Sequence, residues 1–441
     1  MDRLYKKLIN NSKDGAYPFH MPGHKRNEGI DFLKDAYSID ITEIDGFDNL
    51  HDASGIISDS QNIAARLYKS EETHFLVNGS TSGILSAIFS VTKKGDKIIV
   101  ARNCHKSVYN AILLNQLEPV YIYPDTIGKE KINGSISPNV VEETILNNKD
   151  TKAVIITSPT YDGVISNIAG IVKKAHEFDI PVIVDEAHGA LFYIEGRSAV
   201  AGGADIVINS VHKTLPALTQ TALIHVNGNL CDKEKLKEYL SIFQTSSPSY
   251  VLMASIDYAL ELMETKGPQL YRDYCIRTVK LKKQLEKLKK LKYITKDEMC
   301  LSGVYDYDEG KILIATSETN VSGKTLGSIL LNEYNIQCEM TAKSYVLLMS
   351  TIMDTMDGID LLINALQEID NKIDSYSDNE NNTVNISERL ELLGRIGSVS
   401  EKTVYAYPPG IPIIVKEEII TEEIVKEIKE ALNAGLDVKG L

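Results

Sequence analysis

The chain has little cysteine, and none of it is closely paired in sequence. Its 441 residues include five cysteines, at Cys104, Cys231, Cys275, Cys300 and Cys338. No C-x-x-C pair is present and the number is odd, so the pattern argues against a disulfide framework and against a zinc site. Scattered free thiols fit a reducing compartment, and we therefore expect a cytoplasmic protein.

Long apolar runs and an excess of positive charge are also missing. No stretch is long and apolar enough to span a bilayer, and residues 1–8 contain no apolar core of signal-peptide length. Lysine and arginine number 47 against 61 aspartates and glutamates, which gives a formal net charge of −14. This balance argues against a nucleic-acid-binding surface. We expect neither a nucleic-acid partner nor a membrane partner.

What is present is the composition of an ordinary globular protein. Hydrophobic residues make up 43% of the chain and charged residues 24%, both typical values. The length exceeds the usual size of a single core, so we expect a large domain and a smaller one. We predict an N-terminal segment (1–60), a large domain (61–292), a smaller α+β domain (293–374) and a C-terminal segment (383–441), with an acidic linker before the last.

Apolar strands alternate with helical patterns over residues 61–226. The predicted strands are 73–77, 97–101, 120–123, 153–157, 180–184, 205–208 and, as a longer apolar run, 216–226. The predicted helices between them are 61–69, 84–89, 108–114, 138–147 and 168–178. This alternation predicts an α/β fold with a mostly parallel sheet and right-handed crossovers. In such sheets, ligands bind beyond the carboxyl ends of the strands.

Helices dominate the next part of the sequence, and a second set of strands follows. We predict helices over 232–292, broken at 244–249, and an amphipathic Lys/Leu helix over 279–292. The later predicted elements are strands at 311–316 and 345–350, helices at 323–333 and 357–374, a strand after the turn at 405–412, and a final helix at 421–434.

Two of the predicted strands end in residues of opposite charge. Asp185 follows the apolar run 180–184, and Lys213 follows the run 205–208. Either residue alone would most simply be a solvated loop residue. Together they match what pyridoxal 5′-phosphate (PLP) requires, because a lysine forms its Schiff base and an aspartate keeps the pyridine nitrogen protonated, so that the ring can accept electrons.

Two further strand ends carry groups suited to the same cofactor. The turn at 78–83 places Ser80, Thr81 and Ser82 at the start of a helix, where backbone N–H groups and the helix dipole favour a phosphate. A simple N-cap is the alternative, but it needs only one hydroxyl, and the Walker spacing is missing. His105 follows the strand 97–101. Alone it would be a capping or surface histidine, whereas in a PLP site its ring can stack on the cofactor.

The first 60 residues offer two other candidate features. Residues 18–25 form a loop with two prolines and two histidines, which is either a rigid surface turn or a lip over an active site. An acidic run follows, which is either a solvated face or a source of a carboxylate for a cationic substrate. Its members are Asp40, Glu43, Asp45, Asp48 and Asp52.

With these residues in view, the chain resembles the Orn/Lys/Arg decarboxylase family of PLP enzymes, in its short bacterial form and with the aspartate-aminotransferase fold. The resemblance covers nearly the whole length, and its motifs occur in the family's order. They are FHMPGHK at 19–25, NGSTS at 78–82, NCHKS at 103–107, DEAH at 185–188, SVHKT at 210–214 and YPPGIP at 407–412. A departure follows the last motif, where Lys416 and Glu417 replace the usual Pro-Gly and only Glu418 matches.

The resemblance implies roles for individual residues. Lys213 would form the Schiff base, Asp185 would pair with the pyridine nitrogen, and His105 would stack on the ring. His188 stands where long-form members often carry tryptophan, and it or Lys213 would return a proton to the substrate. The implied phosphate contacts are Ser80, Thr81, Ser210 and His212; Ser82 belongs to the same predicted cofactor-binding turn.

The resemblance further implies decarboxylation of arginine, lysine or ornithine to the corresponding polyamine-pathway amine and CO₂. It implies a homodimer or higher assembly, in which the 20–25 loop or the 244–249 break would serve a neighbour's site. An aminotransferase or another PLP-dependent lyase remains the alternative. The segment 346–350 lacks the arginine that would bind an α-carboxylate in an aminotransferase, which favours decarboxylation, although Arg389 and Arg395 stay open as substitutes.

Overall fold

A computed structural model describes residues 17–19, 43, 47–374, 396–407, 410–433 and 436–441. The predicted loop at 20–25, two members of the acidic run (Asp40 and Asp45) and the arginines Arg389 and Arg395 lie outside the described residues.

The described elements alternate between strand and helix over most of the chain. The strands are β1 (Tyr17–Phe19), β2 (Glu72–Leu76), β3 (Lys97–Ala101), β4 (Glu118–Ile122), β5 (Thr126–Ile127), β6 (Ile132–Asn133), β7 (Val154–Thr157), β8 (Val164–Ile165), β9 (Val182–Asp185), β10 (Ile206–Asn209), β11 (Ala222–Val226), β12 (Lys292–Tyr293), β13 (Asp306–Tyr307), β14 (Lys311–Ala315), β15 (Ile336–Cys338), β16 (Met340–Thr341), β17 (Tyr345–Met349), β18 (Val404–Ala406), β19 (Pro412–Ile414) and β20 (Val438–Lys439). The α-helices are α1 (Ile56–Tyr68), α2 (Gly79–Val91), α3 (Lys106–Asn115), α4 (Pro138–Asn147), α5 (Ile168–His176), α6 (Phe192–Glu195), α7 (Val211–Thr214), α8 (Lys233–Phe243), α9 (Tyr250–Leu285), α10 (Lys296–Leu301), α11 (Gly323–Tyr334), α12 (Met356–Lys372) and α13 (Glu422–Asn433). A short 3₁₀ helix spans Leu50–Asp52.

A seven-stranded sheet lies at the centre, in the order β2-β11-β10-β9-β7-β3-β4. Within this sheet β11 alone runs antiparallel to its neighbours. The strands β9, β10 and β11 are buried along their whole length, which explains their continuous apolar sequences. The mostly parallel sheet and the strand–helix alternation confirm the predicted α/β class. They also align the carboxyl ends of β7, β9 and β10, since Thr157 and Ile208 both pair with Asp185.

A second, four-stranded antiparallel sheet has the order β12-β14-β17-β16. The helices α11 and α12 contribute to its apolar core through residues such as Leu326 and Leu362. The same core contains Phe19 of β1, which pairs in parallel with β15. The predicted strands 311–316 and 345–350 match β14 and β17 to within one residue.

Several contacts connect the parts of the chain that carry the two sheets. The strands β8 and β13 pair with each other, and Val164 lies opposite Tyr307. The hydroxyl of Tyr345, on β17, donates a hydrogen bond of 2.8 Å to the buried carboxylate of Asp162, in the turn between β7 and β8. These contacts hold β14 and β17 beside the end of β7.

Three predictions of element boundaries are wrong, and local hydrogen bonds explain the first two. The first helix, α1, begins at Ile56 instead of residue 61, because the Asp48 carboxylate accepts hydrogen bonds from the N–H groups around its start. The apolar run 216–226 forms a strand only from Ala222, after a turn closed by the hydroxyl of Thr221 on the carbonyl of Leu218. The helix predicted over 279–292 ends at Leu285.

Among the described residues, no helix combines the length and the apolar character that crossing a bilayer requires.

Candidate active site

Lys213 lies just beyond the carboxyl end of β10, in the single turn α7. Its Nζ atom is 2.8 Å from Nε2 of His188. Burial lowers the pKa of Lys213 to about 8, although the carboxylates of Asp185 and Glu339 act to raise it. An amine with a lowered pKa is suited to nucleophilic chemistry, because more of it is neutral near physiological pH.

Asp185 is the last residue of β9 and is almost completely buried. One carboxylate oxygen accepts a hydrogen bond of 3.1 Å from the backbone N–H of Ala187. Burial raises the pKa of Asp185, and the charge of Lys213 acts in the opposite direction. A buried carboxylate of this kind is stabilised when a cationic group lies beside it.

His188 links the two strand ends. Its ring is buried, lies edge-on to Tyr161 at a centroid distance of 4.9 Å, and bonds Lys213 through Nε2. Its Nδ1 atom is buried and has no hydrogen-bond partner among the described residues. Burial and the charge of Lys213 lower the pKa of His188 well below its usual value, so the ring is neutral.

A series of buried hydrogen bonds supports the turn that carries Asp185 and His188. Asn209 donates through Nδ2 to the Glu186 carbonyl (2.9 Å) and to the Glu186 carboxylate (3.0 Å). The Oδ1 atom of Asn209 lies 3.0 Å from Nε2 of His225, whose Nδ1 lies 2.7 Å from the hydroxyl of Thr73. Burial raises the pKa of Glu186 to about 8. This series of hydrogen bonds could not be predicted from the sequence, because its members come from four separate strands or turns.

The predicted phosphate turn opens α2. Ser80 is half-buried and Thr81 is exposed in the first turn of this helix, after Gly79, whose φ of +72° suits a residue without a side chain. Ser82 differs from them, because its hydroxyl donates to the Gly79 carbonyl at 2.8 Å. The Ser82 hydroxyl is therefore used within the helix.

Ser210 and His212, the predicted residues next to Lys213, also differ in whether their side chains have a hydrogen-bond partner. The Oγ atom of Ser210 is fully buried and has no partner among the described residues. His212 lies with Nδ1 2.8 Å from the Thr221 carbonyl, so Nδ1 carries a proton and donates it. Burial lowers the pKa of His212 to about 4.

His105 occupies the N-cap position of α3, where its Nδ1 accepts from the Ser107 N–H at 3.2 Å. Burial lowers the pKa of His105 to about 4, and the charge of Lys213 contributes to this shift. Because Lys213 also lowers the pKa values of His188 and His212, these histidines share the surroundings of one amine.

Two residues without a predicted role extend the site. The Tyr161 hydroxyl donates a hydrogen bond to the Glu339 carboxylate. Tyr161 follows the carboxyl end of β7, so the sequence contained a signal for it, since the other site residues also follow strand ends. Glu339 lies between β15 and β16, far away in sequence, and only the tertiary fold brings it beside Tyr161.

The acidic run is partly a structural feature. The carboxylate of Asp48 accepts from the backbone N–H groups of Ser54, Gly55, Ile57 and Ser58. Although burial acts to raise it, these donors lower the pKa of Asp48 to about 2. Asp48 therefore caps the start of α1.

These residues fit PLP. Asp185 is a buried acid whose pKa is raised by burial against the opposing effect of the Lys213 charge, and it could hold a protonated ring nitrogen. The hydroxyls of Ser210 and Thr214 are buried without partners among the described residues, as expected where a polar group would bind. Within the described ranges, no group of His, Cys, Asp and Glu side chains is arranged to hold a metal ion.

Comparison with known proteins gives the family. Residues 3–357 match the family described as Orn/Lys/Arg decarboxylase, major domain. The chain belongs to the Orn/Lys/Arg decarboxylase family. It is accordingly an amino-acid decarboxylase, which confirms the class of enzyme indicated by the motifs.

Two relatives and one solved structure describe its position in the family. The arginine decarboxylase of Bacillus subtilis (strain 168) is 31% identical over 99% of this chain and 95% of its own length. The constitutive lysine decarboxylase of Escherichia coli (strain K12) is 27% identical, but the match covers 64% of this chain and 44% of that protein. The structure of the E. coli constitutive lysine decarboxylase superimposes with a TM-score of 0.75 at 19% identity, covering 99% of this chain and 79% of that chain, which confirms the fold.

Proposed function

We propose that this enzyme binds PLP and decarboxylates arginine, lysine or ornithine to the corresponding amine and CO₂. The observation that carries the proposal is the contact between Lys213 and His188. It places an amine with a pKa of about 8 within 2.8 Å of a neutral imidazole, beside the buried carboxylate of Asp185.

Each of these side chains has a task in the proposed reaction. Lys213 supplies the amine that holds the cofactor and exchanges with the substrate amine. Bound PLP supplies the electron sink for the electron pair that remains when CO₂ departs. Asp185 keeps a proton on the pyridine nitrogen, because its buried carboxylate is stabilised by that cation.

Proton transfer belongs to the Lys213–His188 pair. When Lys213 is an ammonium group it donates to Nε2 of His188, and the single proton of the neutral ring then lies on Nδ1. We propose that this pair returns a proton to the substrate Cα after CO₂ is lost. The ring of Tyr161 limits the rotation of His188, which keeps Nε2 directed at Lys213.

Among the three substrates, we propose arginine first. A relative that matches nearly the whole chain is an arginine decarboxylase, whereas the lysine decarboxylase match covers a smaller share of the chain. The carboxylate of Glu339 also places negative charge within the influence of Lys213, which suits a cationic substrate. A role in the polyamine pathway, a cytoplasmic location, a homodimer and the four-part domain division stay predictions from the sequence.

The test is CO₂ release and amine detection with purified enzyme, added PLP, and arginine, lysine or ornithine. Agmatine from arginine is expected, and it should vanish in Lys213→Ala. The Asp185→Asn variant should bind PLP but lose on the order of 100-fold or more in kcat, because an amide cannot stabilise the protonated ring nitrogen. A yellow, PLP-loaded enzyme that releases no CO₂ from any of the three would overturn the proposal in favour of an aminotransferase or another lyase.

A further inference from the structure

We propose that Gly410 forms part of the active-site wall, and that the Arg102–Glu418 ion pair seats this wall against His105. Gly410 belongs to a C-terminal segment that the structure describes over residues 396–407, 410–433 and 436–441. The inference rests on the proposed function for its meaning, since His105 matters through the cofactor. Arg102 and Glu418 are positioning residues in this proposal, because they act through His105 and touch neither substrate nor cofactor.

The wall is the backbone at Gly410. A Cβ atom added to Gly410 would lie 3.4 Å from Nε2 of His105 and 3.5 Å from Cδ2, so the glycine already faces one edge of the ring. The carbonyl of Gly410 accepts a hydrogen bond of 3.2 Å from the N–H of Lys106. Gly410 has a φ of +84°, a conformation that favours glycine.

The ring cannot turn away from this wall without losing bonds. Nδ1 of His105 lies 2.9 Å from the Ser107 hydroxyl and accepts from the Ser107 N–H. The opposite edge, with Nε2, therefore stays directed at Gly410. Because Gly410 faces Nε2, the position of the segment determines how exposed this nitrogen is. Burial lowers the pKa of His105 to about 4, so the ring is neutral.

The segment also contacts Lys106, the residue after His105. Nζ of Lys106 lies 5.1 Å from the ring centroid of Tyr405 and 5.5 Å from that of Tyr407. Tyr407 also contributes to raising the pKa of Tyr161, the residue that packs against His188. Tyr405, Tyr407 and Gly410 thus all lie close to His105, Lys106 or Tyr161.

The ion pair fixes this segment at β19, the strand that follows Gly410. Arg102 directly follows β3 and lies three residues before His105. Its guanidinium donates to both carboxylate oxygens of Glu418, at 3.1 Å from Nε and 2.9 Å from Nη2. It also donates to the carbonyls of Pro412 (2.8 Å) and Ile413 (3.2 Å), on β19.

The surroundings of Arg102 make this arrangement specific to arginine. The guanidinium carbon lies 5.6 Å from the ring centroid of Tyr109 and 5.7 Å from that of Tyr121. The Glu418 carboxylate also accepts from the N–H of Val415 at 2.8 Å, which fixes the turn after β19. A lysine could make one of these contacts but not the two-pronged pairing with two carbonyls in addition.

The experiment compares Glu418→Gln and Arg102→Lys with Glu430→Gln in the full-length PLP-loaded enzyme. Glu430 belongs to the same segment, on α13, and it also makes ion pairs, with Lys131 (3.4 Å) and Lys343 (3.3 Å). It is therefore a matched control away from His105. Far-UV circular dichroism and the melting temperature verify that each variant is folded.

In the holoenzyme, a displaced wall should lower kcat roughly 10- to 100-fold in Glu418→Gln, since misplacement of about 1 Å has this effect. The PLP dissociation constant should rise and the KM should change less. The Glu430→Gln control should keep the wild-type kcat, KM and PLP affinity. Equal kinetics and equal PLP affinity in Glu418→Gln and Glu430→Gln would overturn the proposal.

A second readout does not need decarboxylation or PLP. Diethyl pyrocarbonate modifies neutral imidazoles, and peptide mass spectrometry of the PLP-free enzyme can follow the modification of His105 alone. The rate should increase in Glu418→Gln and stay at the wild-type value in Glu430→Gln. If the wild type proved inactive on all three amino acids, the proposed function would fail while this comparison still decided the position of the wall. Unchanged modification of His105 in Glu418→Gln would contradict it.

Discussion

At the scale of single residues, the buried position of Lys213 disfavours the charged form of its amine. Burial lowers its pKa to about 8, whereas an unfolded chain leaves a lysine near 10.4. Between these values the unfolded state binds more protons than the folded state, so Lys213 makes the protein more stable as the pH rises. Below pH 8 the folded protein bears the full cost of the buried ammonium.

A Lys213→Met variant should therefore show a stability that depends on pH differently from the wild type. In PLP-free protein, we expect the variant's free energy of unfolding relative to wild type to fall by up to about 3 kcal/mol between pH 8 and 10.5. Urea unfolding at a series of pH values measures this difference. If the difference in unfolding free energy stayed constant across this pH range, the pKa of Lys213 in the folded protein would not be near 8.

The strand-end residues could be predicted from sequence, whereas their partners could not. Asp185 and Lys213 follow recognisable apolar runs, and a parallel sheet brings such ends together. The contact of Tyr161 with Glu339 joins positions 178 residues apart and depends on how β15 and β16 are placed. No local pattern contains that information.

At the scale of elements, the buried hydrogen bonds that support the active-site turn have only one possible order of donors and acceptors. Asn209 uses its Nδ2 to donate to Glu186, so its Oδ1 must accept the proton on Nε2 of His225. Burial lowers the pKa of His225 to about 3. Its Nδ1 is then an acceptor, and the Thr73 hydroxyl must be the donor.

Replacing Thr73 with valine should leave this nitrogen buried and unpaired. We expect the free energy of unfolding to fall by about 1–3 kcal/mol. Thr316→Val is the matched control, because the Thr316 hydroxyl is buried and has no partner among the described residues. Urea unfolding of the two variants tests whether the Thr73–His225 hydrogen bond stabilises the protein, and equal stabilities would speak against it.

The contact between β17 and the turn after β7 leads to a second prediction. Burial raises the pKa of Asp162, and the hydrogen bond from Tyr345 lowers it. Removing the hydroxyl in Tyr345→Phe should raise the folded-state pKa of Asp162 further. The substitution should therefore lower the free energy of unfolding more at pH 7, where the carboxylate is charged, than at acidic pH. Unfolding of this variant at both pH values, with Tyr293→Phe as a control, measures the effect. A cost independent of pH would exclude a charged Asp162 as the hydroxyl's acceptor.

Element boundaries show where sequence patterns stop being sufficient. The interiors of β3, α4 and β14 were predicted closely, because each has an uninterrupted pattern. The start of α1 depends on the Asp48 carboxylate, which reaches it from outside the helix. The end of the 36-residue helix α9 falls within a stretch rich in lysine and leucine whose pattern continues beyond it, so the hydrophobic period alone could not place it.

At the scale of the whole molecule, the two sheets are connected at several independent points. The pairing of β8 with β13, the Tyr345–Asp162 bond and the Tyr161–Glu339 bond all join the part of the chain that carries one sheet to the part that carries the other. Arg197 adds a further connection, because its Nη1 donates to Asp306 on β13 at 3.2 Å. Two parts joined through buried contacts of this kind should unfold together, although the sequence suggested separate domains meeting near residue 293.

The absence of tryptophan from the sequence allows a direct test of this coupling. Tyr123, beyond β4, is 66% exposed, and Tyr305, before β13, is 58% exposed, so tryptophan can replace either without disturbing a core. We expect the fluorescence of Tyr123→Trp and of Tyr305→Trp to report the same urea midpoint, equal to that from far-UV circular dichroism. If the Tyr305→Trp probe changed at a lower urea concentration, the second sheet would open by itself. The site would then lose Glu339 before Lys213 and Asp185, and the contacts between the sheets would be too weak to make them one cooperative unit.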